Sequence, residues 1–250
     1  MPSSSAYLLI AHGSRDPRPQ RGLEELAQLL QKQLASQGEA SQALRIRVGT
    51  ATLELAPLPL HEQICQFATQ AIRTGYPQIQ ALPLFLLPGV HVMEDIPEEV
   101  AIAQQRLGEK LTINLQPHIG VHPHLGQLLV NQQPPLNAPI KILVSHGTRR
   151  PGGNQPIATL AQQLGAIDAY WSIEPTLSQR VATLAEAGYQ HIAIVPYFLF
   201  AGGITDAIAQ SVLDLQQQYP QLQLEFGEPL GATPQLAKLI LDLTRQRVLP

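Results

Sequence analysis

Cysteine, aromatic residues and charged residues are all scarce in this chain of 250 residues. Its single cysteine, Cys65, cannot form a disulfide within the chain, and one thiol cannot replace the four that hold an iron–sulfur cluster. Charged residues make up 14% of the chain, and the formal net charge is -3. Nucleic-acid binders usually carry a strong basic excess, so this composition argues against that class. Any anionic ligand is therefore expected to meet a few placed arginines and backbone amides.

Long apolar runs are absent as well. The longest extends from Ala81 to Met93, and Pro83 and Pro88 interrupt it. Such a run is too short to cross a membrane as a helix. The first residues of the chain, Met1 to Ser5, carry no basic side chain, and the apolar segment after them is too short for a signal peptide. We therefore expect a cytoplasmic protein that binds neither membrane nor nucleic acid.

Two sequence segments each occur twice, in the same order. The segment from Leu8 to Pro17 is repeated from Ile142 to Pro151, and each copy contains a His-Gly pair followed by Ser or Thr and then Arg. The segment from Gly75 to Gly89 is repeated from Gly188 to Gly202. Repetition at a fixed order indicates duplicated structural units. We interpret the chain as a tandem duplication.

Each half alternates short, β-branched apolar runs with longer runs of helical periodicity, which predicts parallel sheets joined by right-handed crossovers. We expect an α/β protein of two tandem Rossmann-like domains, chelatase-like, with an active-site cleft between them. The expected division is a first domain at 1–130, a polar, proline-rich linker at 131–139 and a second domain at 140–250. The predicted strands cover residues 7–11, 45–51, 79–85 and 111–115, then 141–145, 169–173, 191–197 and 222–226. The predicted helices cover residues 22–37, 60–74 and 96–107, then 155–164, 177–187, 205–219 and 234–247.

Three chemically useful side chains follow three successive strands of the first half. His12 follows the first predicted strand, Glu54 the second and His91 the third. Ligands of such sheets bind beyond the carboxyl ends of the strands, so these side chains are expected to converge. Imidazole binds iron, cobalt, nickel and zinc, and a carboxylate adds a weak ligand or a proton acceptor. The pattern predicts one transition-metal site.

The second half has an incomplete version of this set. His146 and Glu174 are expected to correspond to His12 and Glu54, but Ile204 falls opposite His91. Isoleucine neither binds metal nor moves a proton. We therefore expect one active site, in the first half, with the second half as its opposing wall.

Taken singly, each candidate also has a structural interpretation. His12 could cap the following helix, Glu54 could be a solvated surface residue, and His91 could be a loop residue ahead of a helix capped by Asp95. A further cluster has loose spacing for a metal site, so we favour a structural role for its members, which are His118, His122 and His124. Only the joint placement of the first three at strand ends favours function.

The segments Ala11–Pro17, Leu53–Ala56 and Pro83–Pro97 resemble the sirohydrochlorin chelatases of the CbiX/SirB type, in their long, two-repeat form. These are class II chelatases, which need neither ATP nor a partner complex. The resemblance implies insertion of Fe²⁺ or Co²⁺ into sirohydrochlorin, on the way to sirohaem or to a cobalamin precursor. The metal would then be a substrate, with no permanently bound cofactor. It also implies a monomer that is a fused pseudo-dimer.

By the same resemblance, His12 and His91 bind the metal and act in catalysis, and Glu54 assists them. We expect the neighbouring residues to bind the substrate, namely Ser14, Arg15, Gly89 and Val90. Arginine suits the peripheral carboxylates of sirohydrochlorin, and Arg18 is a further candidate for that contact.

Two other functions remain open at this point. A non-catalytic carrier of tetrapyrrole or metal would need the cleft but not the proton acceptor. A phosphatase of the phosphohistidine type is suggested by His-Gly followed by Ser or Thr, but such an enzyme needs arginine beside the histidine, where Ala11 and Ser145 stand. The sequence also leaves the metal open, because affinity rises from iron through cobalt to Ni²⁺ for any such site.

Overall fold

The computed structural model describes residues 5–36, 47–133, 136 and 138–245. They form two parallel sheets of four strands, with strand orders β2-β1-β3-β4 and β6-β5-β7-β8. The α/β class and the parallel sheets predicted from the sequence are confirmed. Within these ranges, every helix is too short or too polar to cross a membrane.

The first sheet and its helices follow one another along the chain in regular alternation. The elements are β1 (Ser5–Ala11), α1 (Pro17–Ser36), β2 (Val48–Thr52), α2 (Leu60–Arg73), β3 (Gln78–Pro83), α3 (Ile96–Leu107), β4 (Thr112–Leu115) and α4 (Leu125–Gln132). A π-helical turn, His91–Asp95, leads directly into α3. Two short 3-10 turns, Gly108–Lys110 and Ile119–Val121, flank β4.

The second sheet repeats this alternation. Its elements are β5 (Ile140–Ser145), α5 (Gln155–Gln163), β6 (Ala166–Tyr170), α6 (Leu177–Glu186), β7 (His191–Pro196), α7 (Gly203–Gln218), β8 (Gln223–Phe226) and α8 (Pro234–Arg245).

The central strands are apolar on both faces because helices cover both sides of each sheet. In β1, Leu8, Leu9 and Ile10 are all buried, although neighbouring side chains of a strand point in opposite directions. In β7, Ile192 to Val195 are buried in the same way. These strands therefore have continuous apolar runs, which made them visible in the sequence.

Several predicted boundaries differ from the observed ones, and two of these errors change the interpretation of the chain. The strand predicted at 169–173 is β6, and it begins three residues earlier, at Ala166. Its polar residue Asp168 is accommodated because Arg180 donates to its carboxylate at 3.3 Å. Helix α1 begins at Pro17 and not at 22, since Asp16 accepts the backbone N–H of Arg18 at 2.9 Å and so caps the helix start. Residues 45 and 46, in the strand predicted at 45–51, lie outside the described residues.

The last helix of each half packs on the other half of the sequence. The chain divides into two compact units, one of Met1–Leu125 with Ala232–Pro250 and one of Gly126–Gly231. Helix α8 packs against α1 in the first unit. Helix α4 lies in the second unit, where Gly126 sits against Leu160 of α5. The compact units therefore differ from the expected division at 131–139.

The segment interpreted as a linker is partly structured. Helix α4 extends to Gln132. The side chain of Gln133 accepts the backbone N–H of Glu228 at 2.9 Å and donates to its carbonyl at 2.8 Å, which fixes this residue in the second unit. Residues 134, 135 and 137 lie outside the described residues.

Removal of α8 is expected to unfold the first unit. The helix buries Leu236, Ile240, Leu241 and Leu243. At roughly 2 kcal/mol for each buried side chain, their sum is comparable with the roughly 5–15 kcal/mol that stabilises a whole domain. A chain ending at Gly231 should therefore melt well over about 10 °C lower than the full chain, if it folds at all.

The matched control is a chain ending at Arg245, which keeps α8 and should melt with the full chain. Thermal denaturation followed by circular dichroism makes the comparison. Equal melting temperatures for the two truncated chains would contradict the assignment of α8 to the first unit.

Candidate metal site

The pairing of β1 with β2 continues past the ends of both strands. The backbone N–H of Leu53 donates to Ala11 O at 2.9 Å, and that of Glu54 donates to His12 O at 2.8 Å. These bonds hold Glu54 directly beside His12 at the carboxyl edge of the sheet. The backbone hydrogen bonds therefore place the first two candidate residues next to each other, whatever contacts their side chains make.

Gly13 makes this close approach possible. Its φ of 103° lies in the region that favours glycine, and a Cβ at this position would lie 2.1 Å from the carbonyl oxygen of Glu54. Leu55, which follows Glu54, is a non-glycine residue with a φ of 60°. Such conformations are costly and cluster at functional sites.

His91 reaches the same edge from β3. The N–H of Leu84 donates to Ile10 O at 2.7 Å, so β3 stays paired with β1 to its end. His91 is the first residue of the π turn, which closes through a bond from the Ile96 N–H to the His91 carbonyl. Turns of this kind are rare and often occur at functional sites.

His12, Glu54 and His91 converge as the sequence predicted. Each offers one ligand atom, and the three atoms lie within 4.8 Å of one another. The imidazole centroids of His12 and His91 are 4.7 Å apart, and Glu54 Oε2 is 3.8 Å from His12 Nδ1. Ligands of one ion at about 2.1 Å can be at most about 4.2 Å apart, so small side-chain movements would close the site on a metal. No other group of three possible metal ligands with this spacing occurs among the described residues.

The site is open to solvent, and an aromatic ring lies near both of its imidazoles. About half of the side-chain surface of both His12 and Glu54 is exposed. The ring of Phe85 lies 6.3 Å from each imidazole, measured between centroids. The carbonyl of Phe85 accepts a hydrogen bond from Nδ1 of the buried His118 at 2.8 Å. Burial lowers the pKa of His118, so this histidine is neutral at pH 7 and serves to hold the loop after β3.

His122 and His124 lie in the turn before α4. The N–H of His124 donates to His122 Nδ1 at 3.2 Å, and His122 is buried. Burial and the neighbouring His124 lower the pKa of His122. These contacts engage the two residues within the turn, and neither belongs to the converging group of His12, Glu54 and His91.

Sequence reasoning missed the part played by Asp95. The alternative, structural interpretation of His91 had Asp95 as the cap of α3, but the Asp95 side chain makes no capping bond. Instead, Asp95 Oδ2 lies 2.6 Å from Nδ1 of His91. The spacing of four residues was the available signal, since such pairs meet on one face of a helix.

Two of the expected substrate-binding residues lie in the loop between β1 and α1. Ser14 Oγ accepts the backbone N–H of Asp16 at 3.0 Å, so it is engaged in the turn. Arg15 is exposed and makes no bond to any residue that the structure describes. Arg18, the further candidate, binds the carboxylate of Asp16 through Nε at 3.1 Å and lowers the pKa of Asp16 to about 2. Arg18 is therefore engaged within the loop.

The other two expected residues, Gly89 and Val90, precede the π turn. A Cβ added at Gly89 would meet no atom within 4 Å, so the space above it is open. Val90 is half exposed, and so are the apolar side chains of Leu55 and Met93. Exposed apolar residues thus lie next to Glu54 and His91 in the chain.

An acidic pocket adjoins the site. It has a volume of about 290 Å³ and is lined by Leu53, Glu54, Pro59, Leu60, Asp95, Glu98 and Glu99. The carboxylate of Glu99 is occupied by His61. It accepts hydrogen bonds from Nδ1 of His61 at 2.8 Å and from the backbone N–H of the same residue at 2.6 Å.

The second unit keeps one member of the trio. The Ser172 N–H donates to His146 O at 2.9 Å, just as Glu54 does to His12. Ser172 therefore occupies the position of Glu54, and the expected correspondence of Glu174 is wrong. The error came from placing β6 three residues too late. Glu174 lies two residues further on, where Gln179 donates to its carboxylate at 2.9 Å.

For His91, the structure gives the same counterpart in the second unit as the sequence repeats did. The Tyr197 N–H donates to Val144 O at 2.7 Å, which repeats the bond from Leu84 to Ile10 and fixes the same register. Counting forward from the strand ends places Ile204 opposite His91. The second unit therefore lacks two of the three candidate ligands.

A family model described as CbiX matches the chain twice, over residues 6–133 and 141–247. The chain belongs to the CbiX family. The two matches reproduce the tandem duplication, and the resemblance inferred from three short segments is confirmed over nearly the whole chain.

Two relatives share about a fifth of their residues with this chain. A sirohydrochlorin cobaltochelatase of Priestia megaterium is 21% identical over 253 residues, which cover 95% of this chain and 78% of that protein. A sirohydrochlorin ferrochelatase of Bacillus subtilis is 21% identical over 254 residues, which cover 96% of this chain and 91% of that protein. The structure of SirB from Bacillus subtilis with Fe³⁺ has a TM-score of 0.74 at 21% identity and covers 97% of this chain and 95% of that one. The common fold is therefore the chelatase fold of the CbiX family.

Gly13→Ala is expected to displace Glu54 and weaken metal binding. The left-handed conformation alone costs an alanine about 1–2 kcal/mol, and the new Cβ would collide with the Glu54 carbonyl. We expect binding of Co²⁺, measured by its visible absorption, to weaken about tenfold or more.

Gly203→Ala is the matched control, because a Cβ there meets no atom within 4 Å and the backbone is ordinary. It should bind Co²⁺ as the unchanged protein does. If the two alanine variants bound Co²⁺ equally, the contact of Gly13 with Glu54 would have no part in the site.

Proposed function

We propose that this protein inserts a divalent metal ion, Fe²⁺ or Co²⁺, into sirohydrochlorin without ATP. The observation that carries the proposal is the convergence of His12, Glu54 and His91 at one exposed sheet edge. Relatives named as sirohydrochlorin cobaltochelatase and ferrochelatase, matched over almost the full chain, support the choice of substrate.

Two imidazoles and one carboxylate suit an ion that must be released again. Closed structural sites use four protein ligands, whereas three leave positions open for water or substrate. His12 and His91 replace part of the hydration shell of the ion. The pyrrole nitrogens of the macrocycle then replace the histidines, since four nitrogens in a ring hold the ion more firmly than three separate side chains.

Insertion also requires the removal of protons. The macrocycle carries two N–H protons, and both leave as the metal dication enters, so the overall charge balances. Glu54 lies 3.8 Å from His12 Nδ1 and is half exposed, so it can accept a proton at the site and pass it to water.

The surroundings of the trio fit a flat, acidic macrocycle. The exposed side chains of Leu55, Val90 and Met93 offer apolar surface to the ring. Arg15, exposed in the loop that follows His12, offers a planar guanidinium to a peripheral carboxylate.

The proposed reaction can be followed directly. Purified protein is mixed anaerobically with sirohydrochlorin and Co²⁺ or Fe²⁺, and the absorption spectrum of the macrocycle is recorded. We expect the spectrum of the metallated product to accumulate over many turnovers per protein. Binding of sirohydrochlorin or metal without turnover would instead identify a carrier.

His12→Ala and His91→Ala are each expected to abolish most insertion activity, because each removes one of the two imidazole ligands. The matched control is His146→Ala, which removes the equivalent exposed imidazole from the second unit, where Ser172 and Ile204 complete no site. It should retain most activity. Melting curves confirm that each variant is folded. An equal loss in His146→Ala and His12→Ala would contradict a single site in the first unit.

Glu54→Gln is expected to lower kcat about 10²–10⁴-fold, the usual loss for a missing general base, with little change in the dissociation constant for sirohydrochlorin. Rapid-mixing absorption measures the first quantity and equilibrium titration the second. Glu174→Gln is the matched control and should leave both unchanged. Equal losses of kcat and affinity in Glu54→Gln would make Glu54 a binding residue.

A further inference from the structure

One ring nitrogen of His91 is already occupied. Its Nδ1 lies 2.6 Å from Asp95 Oδ2, and an ionised carboxylate only accepts hydrogen bonds, so Nδ1 donates. This contact selects the tautomer of His91 in which Nε2 keeps its lone pair. A metal ion can therefore bind at Nε2 without displacing a proton.

The other histidine of the trio is held less firmly. His12 Nδ1 lies 3.8 Å from Glu54 Oε2, which is beyond hydrogen-bond distance. His91 is thus the member of the trio with a close carboxylate partner outside the trio itself.

The pair of His91 and Asp95 exists because the helix after β3 contains one extra residue. Ile96 and Ile208 are both buried, and each is the first buried apolar residue of its helix, α3 and α7 respectively. The buried residues that follow them have the same spacing in the two helices. His91 lies five positions before Ile96, whereas its counterpart Ile204 lies four positions before Ile208. The π turn accommodates this additional residue without moving the buried face of α3.

The second unit lacks all three features together. Helix α7 begins as a regular α-helix at Gly203, and no π turn is present there. Isoleucine replaces the histidine, and Ala207 precedes Ile208 where Asp95 precedes Ile96. The histidine, the extra residue and the acid are therefore found only in the unit that holds the trio, as expected if they serve one purpose.

We propose that Asp95 is a positioning residue, which fixes the tautomer and the ring orientation of His91 so that Nε2 faces the incoming metal. This inference rests on the proposed function of the same site. Histidine ligands commonly donate their second N–H to a carboxylate or a carbonyl, and loss of that partner typically lowers metal affinity or activity 10–100-fold.

Three variants of the full chain test this role. Asp95→Ala removes the acceptor, and Asp95→Asn keeps an oxygen that can accept from Nδ1. Glu98→Gln removes a negative charge from the same pocket and the same helix, so it controls for charge alone. Each variant is titrated with Co²⁺ alone, its insertion kcat and metal KM are measured, and nitrogen NMR of the metal-free protein reports which ring nitrogen of His91 carries the proton.

We expect Asp95→Ala to bind Co²⁺ about 10–100-fold more weakly and to show a mixture of His91 tautomers. Asp95→Asn should recover most of the affinity and the Nδ1–H tautomer, which a merely structural helix residue would not predict. Glu98→Gln should resemble the unchanged protein in both measurements.

Two outcomes overturn the inference. One is an Asp95→Ala protein that is folded and matches Glu98→Gln in Co²⁺ affinity and His91 tautomer. The other is an unchanged protein whose His91 carries its proton on Nε2.

Failure of the proposed function would give a different result. The unchanged protein would then insert no metal into sirohydrochlorin, while the Co²⁺ affinity and the tautomer would still respond to Asp95.

Discussion

The register of one parallel sheet determines the candidate site. Because β1 is hydrogen-bonded to β2 on one side and β3 on the other, the carboxyl ends of three strands finish side by side. The pairing then continues past the strand ends, through bonds from Leu53 to Ala11 and from Glu54 to His12. Gly13 permits this approach, since any Cβ there would meet the carbonyl of Glu54. Backbone geometry therefore brings the trio together, and the apolar core lies beneath it.

The residues that form the core are different from the side chains that form the site, which explains how the two units could diverge. The second unit preserves the strand order and the backbone bonds at its strand ends, yet it carries Ser172 and Ile204 where the first carries Glu54 and His91. The exchanged side chains lie at the edge of the sheet and outside the core. Their replacement leaves the buried strands unchanged, so one copy of the duplicated fold could lose two of the candidate ligands and remain stable.

The exchange of terminal helices links the two halves of the sequence. Helix α8, at the end of the chain, covers α1 in the first unit, and α4, from the first half, belongs to the second unit. Each half of the sequence therefore contributes one helix to the unit that the other half mainly forms. The duplication seen in the sequence and the compact units seen in the structure consequently have different boundaries.

Much of the fold and the identity of the candidate site could be predicted from the sequence. The apolar runs of β1 and β3 are continuous and local, and residues that follow such strands in a parallel sheet must share one edge. That argument identified His12, Glu54 and His91, and the repeated His-Gly segments revealed the duplication.

Tertiary structure decided the features that depend on register and on distant contacts. The counterpart of Glu54 is Ser172 and not Glu174, because the start of β6 is set by its pairing with β5 and by the partner of Asp168. The contact of Asp95 with His91 is local and its four-residue spacing could be read from the sequence, but the π turn that begins the helix there was seen only in the structure. The unit that α8 joins depends on packing against α1, far away in the chain. Local periodicity specifies which residues are buried, but hydrogen-bond register and long-range packing are properties of pairs of segments, and no single segment of the sequence encodes them.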